Sequence, residues 1–223
     1  MKRYLILVMV AMLVLAAGCG DSDSKKASAD SSKSKQETGI SEKEFAGKEE
    51  KTSAKVAESG ANVFAFSKEE VAGANKFSES FSKGRVSLKY PSDWEKPDVG
   101  DPELELEIQR EGKSVNMNLI MQKSDKYFFR TSAETFQKQY PPVLQQQGFS
   151  KIKMIKVEKH DWQNGKGMYA EYYGTMDGIL LHLVQYIYDD SKDLVIFTFA
   201  STESEWNECK ATIRSIMASA IIK

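Results

Sequence analysis

The sequence predicts an α+β domain: an antiparallel sheet of about six to seven strands flanked by helices, preceded by a disordered tether. Three observations carry that expectation. From Gly84 onward, apolar residues recur at every second position in several short runs, the period of a strand with one buried face. Between those runs stand turn-forming clusters such as Asn164-Gly165 and Met176-Asp177-Gly178. Two stretches, Thr131-Ser132-Ala133-Glu134 and Thr202-Glu203-Ser204-Glu205, have the Ser/Thr-x-x-Glu spacing of a helix capping box and run into apolar positions at helical spacing.

At the N-terminus, Lys2 and Arg3 precede an apolar run from Tyr4 to Ala17, 14 residues long. A helix that crosses ~30 Å of hydrocarbon needs ~20 residues, so this run reads as a secretory signal peptide over residues 1–18. Leu15-Ala16-Ala17-Gly18-Cys19 resembles the lipobox of bacterial lipoproteins, with Ala16 where such boxes usually carry leucine. That resemblance implies cleavage between Gly18 and Cys19, acylation of the Cys19 sulfur, and a lipid bilayer as the first partner. The expected location is therefore the cell membrane, lipid-anchored and facing outside the cytoplasm. Cys209 is then the one remaining thiol, so no intrachain disulfide is available.

Residues 19–61 form the expected linker. Between Gly20 and Ser59 only Ile40, Phe45 and Val56 are bulky and apolar, and eight Lys are mixed with nine acidic residues. Such a segment cannot bury enough surface to offset its ordering entropy. Residues 62–83 read as transitional, with a helix start at Ser67-Lys68-Glu69-Glu70 that Gly73 weakens. The domain itself is expected over residues 84–223.

Within it, Val86, Leu88 and Tyr90 alternate with Ser87 and Lys89, and Pro91-Ser92-Asp93 turns the chain toward Trp94. Leu104, Leu106 and Ile108 alternate with glutamates, and Glu111-Gly112-Lys113 leads into Val115, Met117, Leu119 and Met121, a hairpin by spacing. The first capping box opens a helix with Phe136, Tyr140, Val143 and Leu144 on one face. Pro141-Pro142 should kink or interrupt that helix, and Gly148 should end it. Four strands are then expected at Lys151 to Lys159, Gly167 to Thr175, Ile179 to Tyr188 and Leu194 to Ala200. The second box opens a final helix whose apolar face is Trp206, Cys209, Ile213, Ile216, Met217 and Ala220.

Val86 to Trp94 (Val-Ser-Leu-Lys-Tyr-Pro-Ser-Asp-Trp), this strand order and the closing helix together resemble the PsbP-like superfamily, the PsbP/DcrB group. The resemblance covers roughly Ser80 to Lys223. It implies an α/β/α sandwich and members that mostly bind or assemble; it brings no catalytic residues.

The chemistry-bearing residues are few. With 31 Lys+Arg against 32 Asp+Glu, the net charge is −1, and there is no basic excess to attract nucleic acid. His160 and His182 have no metal-ligand spacing around them, so each reads as structural, and no metal or cofactor is expected. Asp189, Asp190 and Asp193 read as a solvated hairpin turn, Gly165-Lys166-Gly167 as a lone tight turn, and Cys209 as a buried small hydrophobe. Tyr127, Phe128 and Phe129, in a polar connection, and Trp162, near a turn, are candidate binding-surface residues, with closure of the core edge as the other reading. No catalytic set assembles from these residues. The expected function is a non-enzymatic binding or assembly module for an envelope protein partner. The alternatives are a hydrolase-like envelope enzyme with a carboxylate site and a small substrate-capture lipoprotein. A deep pocket with perturbed carboxylates would favour the enzyme, and a flat aromatic patch the binding module.

Overall fold

A computed structural model describes residues 62–97, 101 and 104–223. The expected signal peptide, with Gly18 and Cys19, and the expected linker lie outside the described residues.

The first helix, α1 (Lys68–Ala74), starts where Ser67 and Glu70 permit it. The Ser67 hydroxyl accepts from the Glu70 amide at 3.2 Å, and the Glu70 carboxylate accepts from the Ser67 amide at 2.7 Å. Strand β1 (Glu79–Lys83) comes next and pairs antiparallel with β2 (Val86–Tyr90), so the segment read as transitional contributes two elements. The C-terminal strand β10 (Ile221–Ile222) pairs with the other side of β2, completing a three-stranded sheet.

The larger sheet has seven strands, all antiparallel to their neighbours. They are β3 (Trp94–Glu95), β4 (Leu106–Arg110), β5 (Asn116–Lys123), β6 (Ser150–Trp162), β7 (Gly165–Met176), β8 (Ile179–Asp189) and β9 (Asp193–Thr202), in spatial order 3-4-5-9-8-7-6. Helices α2 (Tyr127–Arg130) and α3 (Ala133–Gln146) lie on one face, where Tyr140 meets Tyr172 with ring centroids 6.0 Å apart. Helix α4 (Glu203–Ala218) and the small sheet lie on the other, burying Val86, Leu88, Phe197, Phe199, Ile213, Ile216 and Met217 in one cluster. Each such side chain contributes on the order of 1.5–3 kcal/mol by leaving water. The sandwich expected from sequence is thus present, with a second small sheet added.

Local chemistry explains the connections. Asp177 and Gly178, with φ of 51° and 80°, form the two-residue turn joining β7 to β8. Between β6 and β7 the turn is Gln163-Asn164, one residue earlier than expected, with Gln163 at φ 53°. Gly165 and Gly167 are strand residues of β7 and form no tight turn of their own. A Cβ at Gly167 would stand 2.6 Å from the Phe64 ring, so the missing side chain is what lets the ring approach the strand this closely.

Helix α3 corrects two expectations. Its N-cap is Ser132, one residue later than Thr131; the Ser132 hydroxyl accepts from the Thr135 amide at 3.1 Å, and with Thr135 at the third position no reciprocal capping box forms. The helix also runs unbroken through Pro141 and Pro142. The two prolines withhold amides from the carbonyls of Gln137 and Lys138, both on the exposed side, where water can replace them. Gly148 ends the helix as expected: at φ 93° it lets its own amide reach Gln145 O (3.1 Å) and the Phe149 amide reach Leu144 O (3.0 Å). At α4 the box is incomplete. Thr202 is the N-cap, but its hydroxyl donates to the Glu205 carboxylate at 3.0 Å and caps no backbone amide.

Candidate functional site

On the α4 face of the large sheet, strand register lines up side chains distant in sequence. Tyr173 of β7 pairs with His182 of β8, and Glu171 sits two residues before Tyr173 on the same face. Helix α4 starts directly after β9, bringing Glu203 and Trp206 over His182. The imidazole is only 3% exposed. Its Nε2 lies 2.8 Å from Glu171 Oε1, and its Nδ1 lies 3.0 Å from Glu203 Oε2. Trp206 stacks on it at 4.2 Å between centroids, and Tyr173 meets it edge-on at 4.7 Å.

Each ring nitrogen thus faces a carboxylate oxygen, and the stacked and edge-on rings keep the three groups in one orientation. Burial alone would raise the Glu171 carboxyl; hydrogen bonds from His182 and Tyr169 outweigh it and hold Glu171 below the ordinary glutamate value. The Tyr173 hydroxyl is pushed up to about 12, first by desolvation and then by Glu203 and Glu171.

These residues wall an open cleft of about 470 Å³, completed by Lys153, Met154, Ile155 and Asn207. A smaller recess of about 290 Å³ beside α1, lined by Phe66, Val71 and Ala72 among others, brings fewer polar groups together. The cleft can hold a ligand by ring faces and hydrogen bonds. It presents no serine, threonine or cysteine nucleophile in its wall, and both nitrogens of its histidine are already engaged. Among the described residues no group of three His, Cys, Asp or Glu is placed to hold a metal ion.

The chain matches no protein-family model and no curated protein. Solved structures do match. Cyanobacterial PsbP (CyanoP) from Synechocystis sp. PCC 6803 is similar at 16% identity over 65% of this chain and 92% of that one, with a TM-score of 0.53. The domain has the PsbP-like fold. The Ran-binding protein Mog1p of Saccharomyces cerevisiae (7% identity, 65% and 94% of the two chains, TM-score 0.47) is also similar. So is LpqN, involved in cell envelope biogenesis of Mycobacterium tuberculosis (11%, 62% and 83%, TM-score 0.45).

Within the PsbP-like domain, the residues singled out from sequence do not assemble into one site. Trp162 is buried in the core, 4.8 Å from the Phe64 ring and edge-on to Tyr188. Phe128 is buried too, 5.7 Å from Phe136. At both positions the core-closing reading holds and the binding-surface reading is corrected: the connection coils into α2 and turns Phe128 inward. Tyr127 and Phe129 are half-buried; the Tyr127 hydroxyl donates to Gln139 at 3.0 Å. Asp189 is no solvated turn residue. It is 1% exposed and collects donors from Ser124 Oγ (2.7 Å), the Ser191 amide (2.7 Å) and the Phe129 amide (2.9 Å), while Asp190 and Asp193 hold Arg85. Cys209 is fully buried and its thiol is pushed up to about 11 by that burial. His160 sits beside Glu158 at 3.3 Å.

The cleft at His182 was invisible to sequence reasoning. Its carboxylates lie 11 and 21 residues from the histidine, and only strand register and the start of α4 bring them together.

Proposed function

We propose that this protein is a membrane-anchored extracytoplasmic lipoprotein whose PsbP-like domain is a non-enzymatic binding or assembly module of the cell envelope. The observation that carries the reading is the engagement of both His182 nitrogens inside an aromatic-walled, open cleft. With each ring nitrogen within hydrogen-bond distance of a carboxylate, His182 presents neither nitrogen to the open cleft and instead fixes its neighbours for recognition. The Cys19 lipobox supplies the anchor, through acyl chains worth ~0.8 kcal/mol per buried methylene. No helix of the described residues is long and apolar enough to cross a membrane. A polar linker between anchor and domain suits presentation to an envelope protein partner.

The test places a photo-crosslinking side chain at Asn207, an exposed residue of the cleft wall, in the full chain in its native membrane. The expected result is a discrete adduct with an envelope component, absent when the same side chain replaces Lys76 on the surface away from the cleft. Equal adducts from both positions would overturn the cleft as the binding surface. Turnover of a substrate captured there would overturn the non-enzymatic reading.

A further inference from the structure

We infer that the cleft at His182 takes an unbranched, uncharged glycan chain, one sugar ring resting against Trp206 and Tyr173 with its hydroxyls on Glu203, Asn207 and Lys153. The inference rests on the binding reading above and names its ligand.

Charge is the first argument. The cleft wall carries one ammonium, on exposed Lys153, and two carboxylates, on Glu171 and Glu203, with the His182 ring between the carboxylates. Glu171 also accepts from Tyr169 at 2.9 Å. A ligand with one sign of charge would meet a repelling group beside each attracting one, because Lys153 stands in the same wall as Glu171 and Glu203. A polyol faces no such penalty. Each hydroxyl both donates and accepts, which suits a wall offering carboxylate lone pairs beside an amide and an ammonium.

Ring geometry is the second. Stacking on His182 holds the Trp206 indole and an edge-on contact with the same ring holds Tyr173, so two half-buried aromatic side chains are fixed in the cleft wall. An aromatic face carries negative partial charge, and the C–H bonds on the face of a pyranose ring carry positive partial charge. Fixed rings lose little entropy on binding such a face.

Position is the third. The lining runs from α4 across β8 and β7 to Lys153, Met154 and Ile155 of β6, the outermost strand of the sheet. Among the described residues no strand pairs with the outer side of β6, so the cleft reaches the edge of the molecule there. An open-ended cleft accommodates a chain that continues beyond it.

The experiment titrates the purified full chain, in a sugar-free detergent, with N-acetylglucosamine pentamer, its cationic de-acetylated pentamer and an anionic galacturonate pentamer. Tryptophan fluorescence and amide NMR are the readouts. The expected result is saturable binding of the uncharged pentamer, with shifts at Tyr173, His182 and Trp206, and weaker or no binding of the two charged chains. Trp206→Ala and Tyr173→Ala should each weaken it about tenfold, the size of one aromatic contact. Asn207→Ala, at an exposed position, supplies a variant that keeps the fold. Binding of only a charged chain would overturn the inference. So would absence of binding to all three, or unchanged affinity in variants that melt like the parent. If Asn207 crosslinks an envelope protein while no glycan binds, the ligand class is wrong and the binding module stands. If the pentamer binds and is shortened on incubation, the glycan assignment holds and the non-enzymatic reading fails.

Discussion

Phe128 and Tyr127 are adjacent and differ in what they hold. Removing the Phe128 ring, buried beside Phe136, should cost about 3–5 kcal/mol, the range for a large side chain deleted from a core. Tyr127→Ala removes a half-buried ring and one hydrogen bond to Gln139 and should cost only about 1–2 kcal/mol. Denaturant melts of the two variants separate the roles; equal costs would mean that α2 is fixed by its backbone bonds alone. Glu171 gives a pH signature. Its folded pKa lies below the ordinary value, so it contributes stability that is present above the unfolded value and lost as pH falls through the folded one. Below about pH 4.3, the ordinary glutamate value, the parent should lose melting temperature more steeply than Glu171→Gln. Parallel slopes would show that the His182–Glu171 contact adds nothing to folding. A linear reading leaves both open, because Phe128 stands in an aromatic cluster inside a polar connection that could close the core or face a partner, and Glu171 looks like the polar side of an alternating strand.

Elements with strong local signals were legible: the meander of β6 to β9, the Gly148 stop and the Ser67 start all arise from spacing and turn chemistry. Those held by distant partners were not. Strand β1 carries one apolar residue, Phe81, and owes its existence to pairing with β2; β10 is two residues long and exists for the same reason. The prolines of α3 misled because their cost depends on which carbonyls they orphan. A proline inside a helix costs about 3 kcal/mol, and its stiffening of the unfolded chain returns about 0.4–1 kcal/mol. Pro141→Ala with Pro142→Ala should therefore raise the melting temperature by several degrees. A fall would mean that the rings themselves pack. At α1, Ser67→Ala should cost about 1 kcal/mol. The loss should be larger than for an isolated cap, because Glu70 also pairs with Arg214 at 2.7 Å and so ties α1 to α4.

The domain is larger than its alternating segment. Phe64 lies against Trp162 and Tyr186, and the Arg214 guanidinium donates to the Val63 carbonyl, so residues before Gly84 close the core. A chain beginning at Gly84 should fail to melt cooperatively, whereas one beginning at Asn62 should unfold in a single transition; calorimetry decides. The proposed anchor at Cys19 predicts that Cys19→Ser in the full chain shifts the protein out of the membrane fraction and leaves its unfolding transition unchanged. The two sheets also differ in how far apart in the chain their partners lie. Strands β6 to β9 are successive hairpins, each closing a short loop, whereas β10 must find β2 across most of the domain. Short loops close cheaply and distant ends meet late. Amide protons in β7 and β8 should accordingly become protected earliest during refolding and exchange slowest in the native state. Those joining Ile222 to Val86 should be the last to be protected, so the chain end and the start of the domain are fastened together only when everything between them is in place.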